Sequence, residues 1–425
     1  VKFEYPPELI TLWYDSIFPI ALDVDVKTQE LALKLIDANF LQTISSPIGE
    51  AMASCLTDGY KDIIFRIFRI FKQKSINLGP FCNLLQKNLN ADCLPVMWKL
   101  TDSIIGIVPN HFKKDFKVFW DQRNEMPTEY LSIISKIDHV DQQIIDDSLE
   151  FIRQVSSVEI DAESGNATFA VIHAYILILL NHKDDKGSNI VEEISTILRQ
   201  LTNNINEAIS SRFLNQEQLS ALVPSIFLVG ELISFFKNIY DFDFTGLQIL
   251  IGSKLPNECN IPSRVRAIAT ISIGKLCLGR RDITNTFVAA FAHVLHQSSD
   301  ATVKCNSLIV LCDLCVKYTA TVDSYVMNMS DCFADSSSIV RRQALLIMTR
   351  LIAEDYIKMR SLLLFRFIYS IVDKNKDVSN FAQSCLFDVL NNKDPKLLSQ
   401  HFIDALFYFN DQMDLQALNE DLSSH

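Results

Sequence analysis

Apolar and polar residues recur along the C-terminal part of the chain with a period close to 38 residues. The marker of each period is a Val followed, in three of four cases, by a basic residue: Val265-Arg266, Val303-Lys304, Val340-Arg341 and Val378-Ser379. Successive marker residues are 38, 37 and 38 positions apart. A period of this length is typical of repeats that are built from pairs of helices.

Three further columns of the repeat hold residues of constant character. Four, eight and eleven residues after each Val come a small, a large apolar and an aliphatic residue: Ala269, Ser307, Ala344 and Ala382; Ile273, Leu311, Met348 and Leu386; Leu276, Leu314, Leu351 and Val389. Offsets of 0, 4, 8 and 11 lie on one face of a helix that turns about every 3.6 residues. We therefore predict a buried stripe on one helix of each repeat.

The start of this helix is marked three residues before the Val. Asp300, Ser337 and Asn375 stand there, and their side-chain oxygens can accept a free backbone N–H at a helix start. The first repeat has Pro262 in this position, and the chain near Asp23 and Val26 has the same pattern. Preceding helices are predicted at 286–297, 323–335 and 361–374, and a helix at 396–410 opens a further unit.

These hairpins predict an all-α fold, a HEAT-repeat α-solenoid of stacked antiparallel helix hairpins, because one hairpin cannot bury its apolar face alone. Residues 251–410 form the array with a readable register. Residues 1–250 are also helical in pattern but their registers are uncertain, and residues 411–425 form an acidic tail. The chain begins at Val1 without a signal-like segment, so we expect it to be part of a longer protein.

Composition agrees with a helical protein that lies outside membranes. Nearly half of the 425 residues are apolar and only 11 are Gly. The longest apolar run, at 169–180, is too short to cross a bilayer, and the run near Leu222 contains Pro224 and Glu231. Residues 1–250 contain 21 Lys and Arg against 33 Asp and Glu, whereas residues 251–425 contain 18 of each. A local basic surface is therefore expected in the C-terminal half.

Cysteine and histidine positions indicate no metal or redox site. Ten cysteines without a regular framework spacing are typical of free thiols in a reducing compartment. Cys312-x-x-Cys315 has no second ligand pair at zinc spacing, and Cys315 shares a core column with Cys277, Ile352 and Leu390. His293-x-x-His296 also has no further ligands at a suitable spacing. We expect structural thiols and no cofactor.

Catalytic signatures are missing from the sequence. It contains no phosphate-binding loop, no Gly-x-Ser-x-Gly and no His-Glu-x-x-His. The helix KDIIFRIFRIFKQK at 61–74 interleaves Phe with Arg and Lys, which fits a nucleic-acid or membrane-surface helix, but a half-buried repeat helix has the same pattern and is favoured. We expect a binding protein and not an enzyme.

The basic residues of the array fall into two predicted groups. Arg266, Lys304 and Arg341 follow the marker Val and would recur on one edge, where they can form a structural ladder with acidic or amide side chains of neighbouring turns. This ladder is expected to end at Ser379. Better candidates for DNA phosphates are the basic residues predicted to be exposed: Arg280, Arg281, Arg342, Lys358 and Arg360.

Four strings follow one another in the array: RVRAIATISIGKLCL (264–278), SLIVLCDLCVKYTATVDSYV (307–326), DSSSIVRRQALLIMTRLIAEDYIK (335–358) and LFRFIYSIVDKNKDVSNFAQSCLF (364–387). In this order they make residues 262–410 resemble the C-terminal HEAT region of the condensin D-type subunits. IGKLCL and HFIDALFYFN (401–410) are more similar to the condensin II version than to the condensin I version.

This resemblance implies a non-catalytic subunit of a chromosome-condensing complex in the nucleus. Its implied partners are the kleisin subunit of condensin II, the SMC ATPases, the second HEAT subunit and chromosomal DNA, and the kleisin segment is expected along the groove of the stacked helices. The kleisin-binding residues are unknown at this level. Other helical-repeat scaffolds remain open: a coat-adaptor trunk, a nuclear-transport carrier or a phosphatase scaffold.

Overall fold

The computed structural model describes residues 7–23, 25–38, 61–73, 98, 101–102, 104–106, 115–123, 126, 128–155, 165–182, 189–211, 215–236, 239, 242–252, 254–255 and 260–410. Within these ranges the regular secondary structure is helical, apart from an isolated antiparallel β-bridge between Lys254 and Asn260. The all-α prediction is therefore confirmed. The predicted acidic tail at 411–425 lies outside the described residues.

The chain folds as two compact units. The first comprises residues 1–155 and 161–193, and the second comprises residues 156–160 and 194–425. The boundary predicted at residue 250 separates a stretch whose repeat register can be read from one whose register cannot. It does not concern compact units, so it stays a prediction.

The first unit contains six α-helices among the described residues. They are α1 (Pro7–Ile20), α2 (Val26–Ile36), α3 (Lys61–Gln73), α4 (Thr128–Ser135), α5 (Gln142–Gln154) and α6 (Gly165–Asn181), with a 3-10 helix at Asp115–Gln122. Aromatic side chains fill its core: Tyr14 and Phe18 from α1, Phe68 and Phe71 from α3, and Tyr130 from α4 are fully buried. On α3 the side chains of Arg66 and Arg69 are exposed, so this helix is half-buried.

The second unit contains the repeat array. Its numbered helices are α7 (Ile190–Ser210, which begins in the first unit), α8 (Gln216–Ala221), α9 (Val223–Phe235), α10 (Thr245–Leu250), α11 (Ser263–Gly279), α12 (Arg281–Gln297), α13 (Ala301–Lys317), α14 (Val326–Asp331), α15 (Ser338–Ala353), α16 (Ser361–Ser370), α17 (Lys376–Gln383) and α18 (Leu397–Gln400). A short α-helix at Thr319–Val322 precedes α14, and α17 is continued by a π-helix at Ser384–Leu390 and a last turn at Asn391–Lys393. Residues 402–410 are also helical. We call α11, α13, α15 and α17 the B helices and α12, α14, α16 and 402–410 the A helices.

The B helices pack side by side in chain order, and α9 precedes them against α11. Two glycines allow this close packing. A Cβ at Gly230 would lie 2.5 Å from Ser272 Oγ, and a Cβ at Gly274 would lie 2.5 Å from Val310 Cγ2. Ser272 Oγ uses the short separation to donate to the carbonyl of Ile226 at 2.9 Å. Small residues therefore set the spacing of the layers.

Fifteen of the sixteen predicted stripe positions are confirmed as core, with exposures of 2% or less. The exception is Val389, which is 42% exposed, so its assignment to the core was wrong. Residues Ser384–Leu390 form a π-helix, whose wider turn shifts the register by one residue. Leu390 is buried in place of Val389.

Helix boundaries differ from the predictions mainly among the A helices. The predicted helix at 323–335 is divided into two 3-10 turns that flank α14, and the predicted helix at 361–374 ends at Ser370. Asp300 and Asn375 cap their helices as predicted. The side chain of Ser337 makes no cap hydrogen bond, and near the N-terminus Asp25, not Asp23, is the capping residue.

One described helical stretch, Gln216–Phe235, is long and apolar enough to cross a membrane by length and composition alone. Its most apolar 18-residue window is 61% buried inside the fold. Glu231, within the stretch, is buried and forms an ion pair with the half-buried Lys275 of α11. We therefore interpret this stretch as a core helix.

Candidate functional site

A ladder of ion pairs connects successive repeats of the array. Lys304 Nζ lies 2.5 Å from Asp335 Oδ2, and Arg341 Nε lies 2.6 Å from Asp373 Oδ2. Each carboxylate also accepts a backbone N–H at the start of its own repeat, Asp335 from Ser337 and Asp373 from Asn375, both at 2.8 Å. A cation of one layer thus holds the turn that begins the next B helix.

Arg266, the first predicted member of the ladder, has a different environment. The position equivalent to Asp335 and Asp373 is Ser298, which carries no charge and accepts the N–H of Asp300 at 3.2 Å. The Arg266 side chain is buried, and burial lowers the pKa of its guanidinium, while Asp300 acts in the opposite direction. Ser379, at the predicted end, donates its hydroxyl to the carbonyl of Ile371 at 2.5 Å.

The array has two edges, one at each end of its B helices. The N-terminal edge, where A helices end and B helices begin, comprises residues 298–304, 335–342 and 371–379. The C-terminal edge, where B helices end, comprises residues 278–282, 315–323, 351–360 and 390–396. The ion-pair ladder lies on the N-terminal edge.

On the C-terminal edge, lysines cap the ends of the preceding B helices. Lys317 donates to the carbonyl of Leu278, and Lys393 donates to the carbonyls of Ile352 and Ala353 at 2.8 and 2.7 Å. Such contacts satisfy carbonyls that have no partner within the helix. They also place a positive charge at the negative end of the helix dipole, where it is stabilising. The sequence signal for these residues is a Lys at the end of two B helices.

Four of the five predicted DNA-binding residues lie on this C-terminal edge. Arg280 Nη2 is 2.6 Å from Asp282 Oδ2, and Arg360 Nη2 is 2.8 Å from Asp323 Oδ2. The guanidinium of Arg281 lies 5.9 Å from the centre of the Tyr318 ring. Lys358 is exposed. The hydrogen bond from Arg280 lowers the pKa of Asp282, so this carboxylate keeps its charge.

Arg342, the fifth predicted residue, lies on the N-terminal edge. Its guanidinium is 4.8 Å from the centre of the Phe381 ring of the next B helix. Lys374 and Lys376 are exposed in the same pair of layers. Geometry therefore separates Arg342 from the other four candidates.

The exposed face of the B helices carries an apolar ridge. It consists of Ile309, which is 37% exposed, and Leu346, which is 49% exposed, at equivalent positions of α13 and α15, together with Ile339. Ten residues after the marker Val, the two ridge helices carry exposed charges of opposite sign, Asp313 on α13 and Arg350 on α15. Partial burial raises the pKa of Asp313, against the lowering effect of Arg350.

The predicted thiol and imidazole residues lie as follows. Cys312 and Cys315 are buried, and burial raises the pKa of each thiol to about 11. His296 Nε2 lies 3.0 Å from Asn328 Nδ2 and 3.7 Å from Asp331 Oδ2. In the part of the chain that the structure describes, no three His, Cys, Asp or Glu side chains are grouped as metal ligands. Cys55, Cys82, Cys93 and Cys259 lie outside that part.

Family models match the array. A model described as non-SMC mitotic condensation complex subunit 1 matches residues 302–423. A second, described as the HEAT repeats of condensin-2 complex subunit D3-like, matches residues 247–295.

Two animal relatives match over most of the chain, and a plant relative matches about a third of it. Condensin-2 complex subunit D3-L of Xenopus laevis is 24% identical over 445 residues, which cover 94% of this chain and 30% of the relative. Condensin-2 complex subunit D3 of Mus musculus is 24% identical over 448 residues, with the same coverage. Condensin-2 complex subunit CAP-D3 of Arabidopsis thaliana is 30% identical over 141 residues, 33% of this chain and 11% of the relative. The chain thus spans about 30% of the length of the two animal relatives.

Among solved structures, the C-terminal fragment of the Chaetomium thermophilum cohesin loader SCC2 has a similar fold. Its TM-score is 0.55 at 11% identity, and the match covers 94% of this chain and 37% of that one. This likeness supports the helical-repeat fold alone. The ordered repeats, the family models that match residues 247–295 and 302–423, and the relatives together show that the chain is similar to the condensin D-type HEAT-repeat subunits, and to condensin-2 subunit D3 in particular.

Proposed function

We propose that this chain acts as a non-catalytic HEAT-repeat subunit of a condensin II complex, in mitotic chromosome condensation in the nucleus. Its relatives are named as condensin-2 subunits, and its sequence carries none of the catalytic signatures considered above. In this proposal, ATP hydrolysis belongs to SMC partners. The chain contributes a binding surface for the kleisin, contacts to the SMC subunits and the second HEAT subunit, and help in engaging chromosomal DNA.

The observation that carries the kleisin part of the proposal is the apolar ridge on the B helices. Ile309 and Leu346 are aliphatic yet exposed, and they recur at the same offset in two packed layers. An extended peptide can place alternate apolar side chains against such a ridge and spread its affinity over several layers. The carboxylate of Asp313 beside Ile309 favours a basic residue in that peptide, and the guanidinium of Arg350 beside Leu346 favours an acidic one.

Capture of the recombinant condensin II kleisin on the immobilised chain tests this proposal. We expect the double variant Ile309→Ser/Leu346→Ser to lose at least about tenfold in affinity, because removal of exposed apolar contacts costs roughly 1 kcal/mol or more per anchor residue. The matched control is Val372→Ser, which removes an exposed aliphatic side chain from the end of an A helix. Thermal melting followed by circular dichroism checks that both variants fold.

Three results would contradict the proposal in different ways. Failure of the folded wild-type chain to capture the kleisin contradicts the kleisin function. Equal binding by the ridge variant contradicts the ridge as the docking surface. Co-purification with clathrin, transport cargo or a phosphatase, instead of kleisin and SMC chains, would favour a coat-adaptor trunk, a nuclear-transport carrier or a phosphatase scaffold.

A further inference from the structure

Two acidic residues of the N-terminal edge, Asp335 and Asp373, are withdrawn from solvent, whereas Asp300 of the same edge is half-buried. The side chains of Asp335 and Asp373 are only 8% and 9% exposed, and each is paired with a cation of the preceding layer, Lys304 or Arg341. Both carboxylates also accept a backbone N–H. Their negative charge is therefore compensated inside the array and contributes little to the potential outside it.

Three cations of the same edge are exposed, and the charge of one of them, Lys374, also helps to lower the pKa of the adjacent Asp373. Arg342, Lys374 and Lys376 are exposed, and none of them has an ion-pair partner among the described residues. Asp377 is the exposed carboxylate of this stretch, 371–379. Together with Arg342 from the preceding layer, this stretch therefore presents three cations against one exposed anion.

The C-terminal edge has the opposite arrangement. Its carboxylates face solvent: the side chains of Asp282, Asp323 and Asp355 are 62%, 49% and 84% exposed. Arg280, Arg360 and Lys393 pair with these acids and Lys317 donates to a helix carbonyl, whereas Arg281, Lys358 and Lys396 are exposed and have no ion-pair partner among the described residues. A phosphate that approaches this edge meets carboxylates as well as cations, so binding there is opposed by like-charge repulsion.

We propose that the N-terminal edge binds the phosphate backbone of double-stranded DNA through Arg342, Lys374 and Lys376. The choice of DNA as the ligand rests on the proposed function, and the placement rests on the two edges just compared. Contact with the Phe381 ring at 4.8 Å limits the freedom of the Arg342 guanidinium, so less entropy is lost when it binds a phosphate. Of the five residues that the sequence suggested for DNA, this surface includes Arg342.

Fluorescence anisotropy with a 30-base-pair duplex and the full 425-residue chain, measured across a salt series, tests the proposal. The first variant is Arg342→Gln/Lys374→Gln/Lys376→Gln. The matched control removes the same number of charges from the other edge, Arg281→Gln/Lys358→Gln/Arg360→Gln. We expect the first variant to bind about tenfold more weakly or worse, and to reduce the slope of log K against log salt by about 2 to 3, since each phosphate contact contributes about 0.9. The control should change affinity by less than about twofold.

Several outcomes overturn the placement. A larger loss for the control variant would assign DNA to the C-terminal edge. Equal affinity of the N-terminal edge for a polyglutamate peptide would assign it to an acidic protein segment. Absence of DNA binding by a wild-type chain that still captures the kleisin overturns this inference and leaves the proposed function intact, whereas loss of both activities overturns both. Thermal melts of all variants confirm that the compared chains are folded.

Discussion

Arg341 donates two hydrogen bonds to Asp373 across neighbouring repeats, from Nε to Oδ2 at 2.6 Å and from Nη2 to Oδ1 at 2.8 Å. The same guanidinium donates from Nη1 to the carbonyl of Asp335 at 2.8 Å. Because Asp373 also holds the N–H of Asn375, one arginine connects the starts of α15 and α17. The Arg341–Asp373 pair stabilises the packing of neighbouring layers, and it also shields the Asp373 carboxylate from solvent. The stability of the array and its surface charge therefore depend on the same contact.

Arg341→Gln should destabilise the second unit by about 2 to 3 kcal/mol. Removal of the cation leaves the largely buried Asp373 carboxylate without its charged partner, and charge-assisted hydrogen bonds of this kind contribute about 1.5 to 3 kcal/mol. Urea unfolding followed by circular dichroism measures the loss. The control is Arg350→Gln, which breaks the exposed pair with Glu354 within α15 and should cost no more than about 0.5 kcal/mol. Equal losses for the two variants would contradict the special position of Arg341.

Stability should also depend on pH through Asp373. The hydrogen bond from Arg341 lowers the pKa of this carboxyl below its usual range. A group with a lowered folded pKa contributes its full stabilisation above the unfolded pKa of about 4, and the contribution is lost as the pH falls through the folded pKa. We therefore expect wild type to be more stable than Asp373→Asn at pH 7, with a difference that shrinks below about pH 4. Urea midpoints between pH 3 and pH 7 check this, and a constant difference would exclude it.

The buried stripe and the caps could be predicted because they depend on local periodicity. Val303 and Ser307 lie in their helix as the spacing requires, and Asp300 caps it as its residue type suggests. The exposure of Val389 could not be predicted in this way. One wide turn in a π-helix shifts every later residue, and the 38-residue period carries no signal for it.

The interaction edges were only partly predictable, because partners that are more than 30 residues apart must be placed by the fold. The basic column at Lys304 and Arg341 is visible in the sequence, and so, in retrospect, are Asp335 and Asp373, each five residues before a marker Val. The sequence does not show that Asp335 and Asp373 are each buried against a cation, whereas Asp282 beside Arg280 is exposed. The placement of the DNA candidates depends on that difference.

Gly274→Ala should destabilise the array by about 1 to 3 kcal/mol. The added Cβ would lie 2.5 Å from Val310 Cγ2, so α11 and α13 would have to separate or Val310 would have to change rotamer. Gly279→Ala is the control, since a Cβ there meets no atom within 4 Å, and it should be neutral or slightly stabilising. Urea unfolding compares the two. Val310→Ala in the Gly274→Ala background should recover part of the loss, and absence of any recovery would contradict the steric explanation.

Asp355→Gly and Asp355→Ala should differ in stability by about 1 kcal/mol, with Gly the more stable. Asp355 has φ of +64°, in the left-handed region, where it ends α15 and lets the N–H of Tyr356 donate to the carbonyl of Leu351 at 2.9 Å. Glycine adopts this conformation at little cost, whereas Ala does not. Both variants lose the exposed ion pair with Lys393, so the comparison isolates the backbone term. Equal melting temperatures for the two variants would contradict it.

Cys312 and Cys315 should be almost unreactive in the folded protein. Burial raises the pKa of both thiols to about 11, so little thiolate forms at pH 7.5, and thiolate is the species that reacts with iodoacetamide. Mass spectrometry of native and guanidinium-unfolded samples should therefore find these residues labelled only after unfolding, while Cys305, which is partly exposed, is labelled earlier.

Added zinc should leave the melting temperature unchanged, because a site made of two thiols lacks the four ligands of structural zinc. Rapid native labelling, or a zinc-dependent rise in melting temperature that Cys312→Ala abolishes, would restore the metal or redox interpretation of this pair.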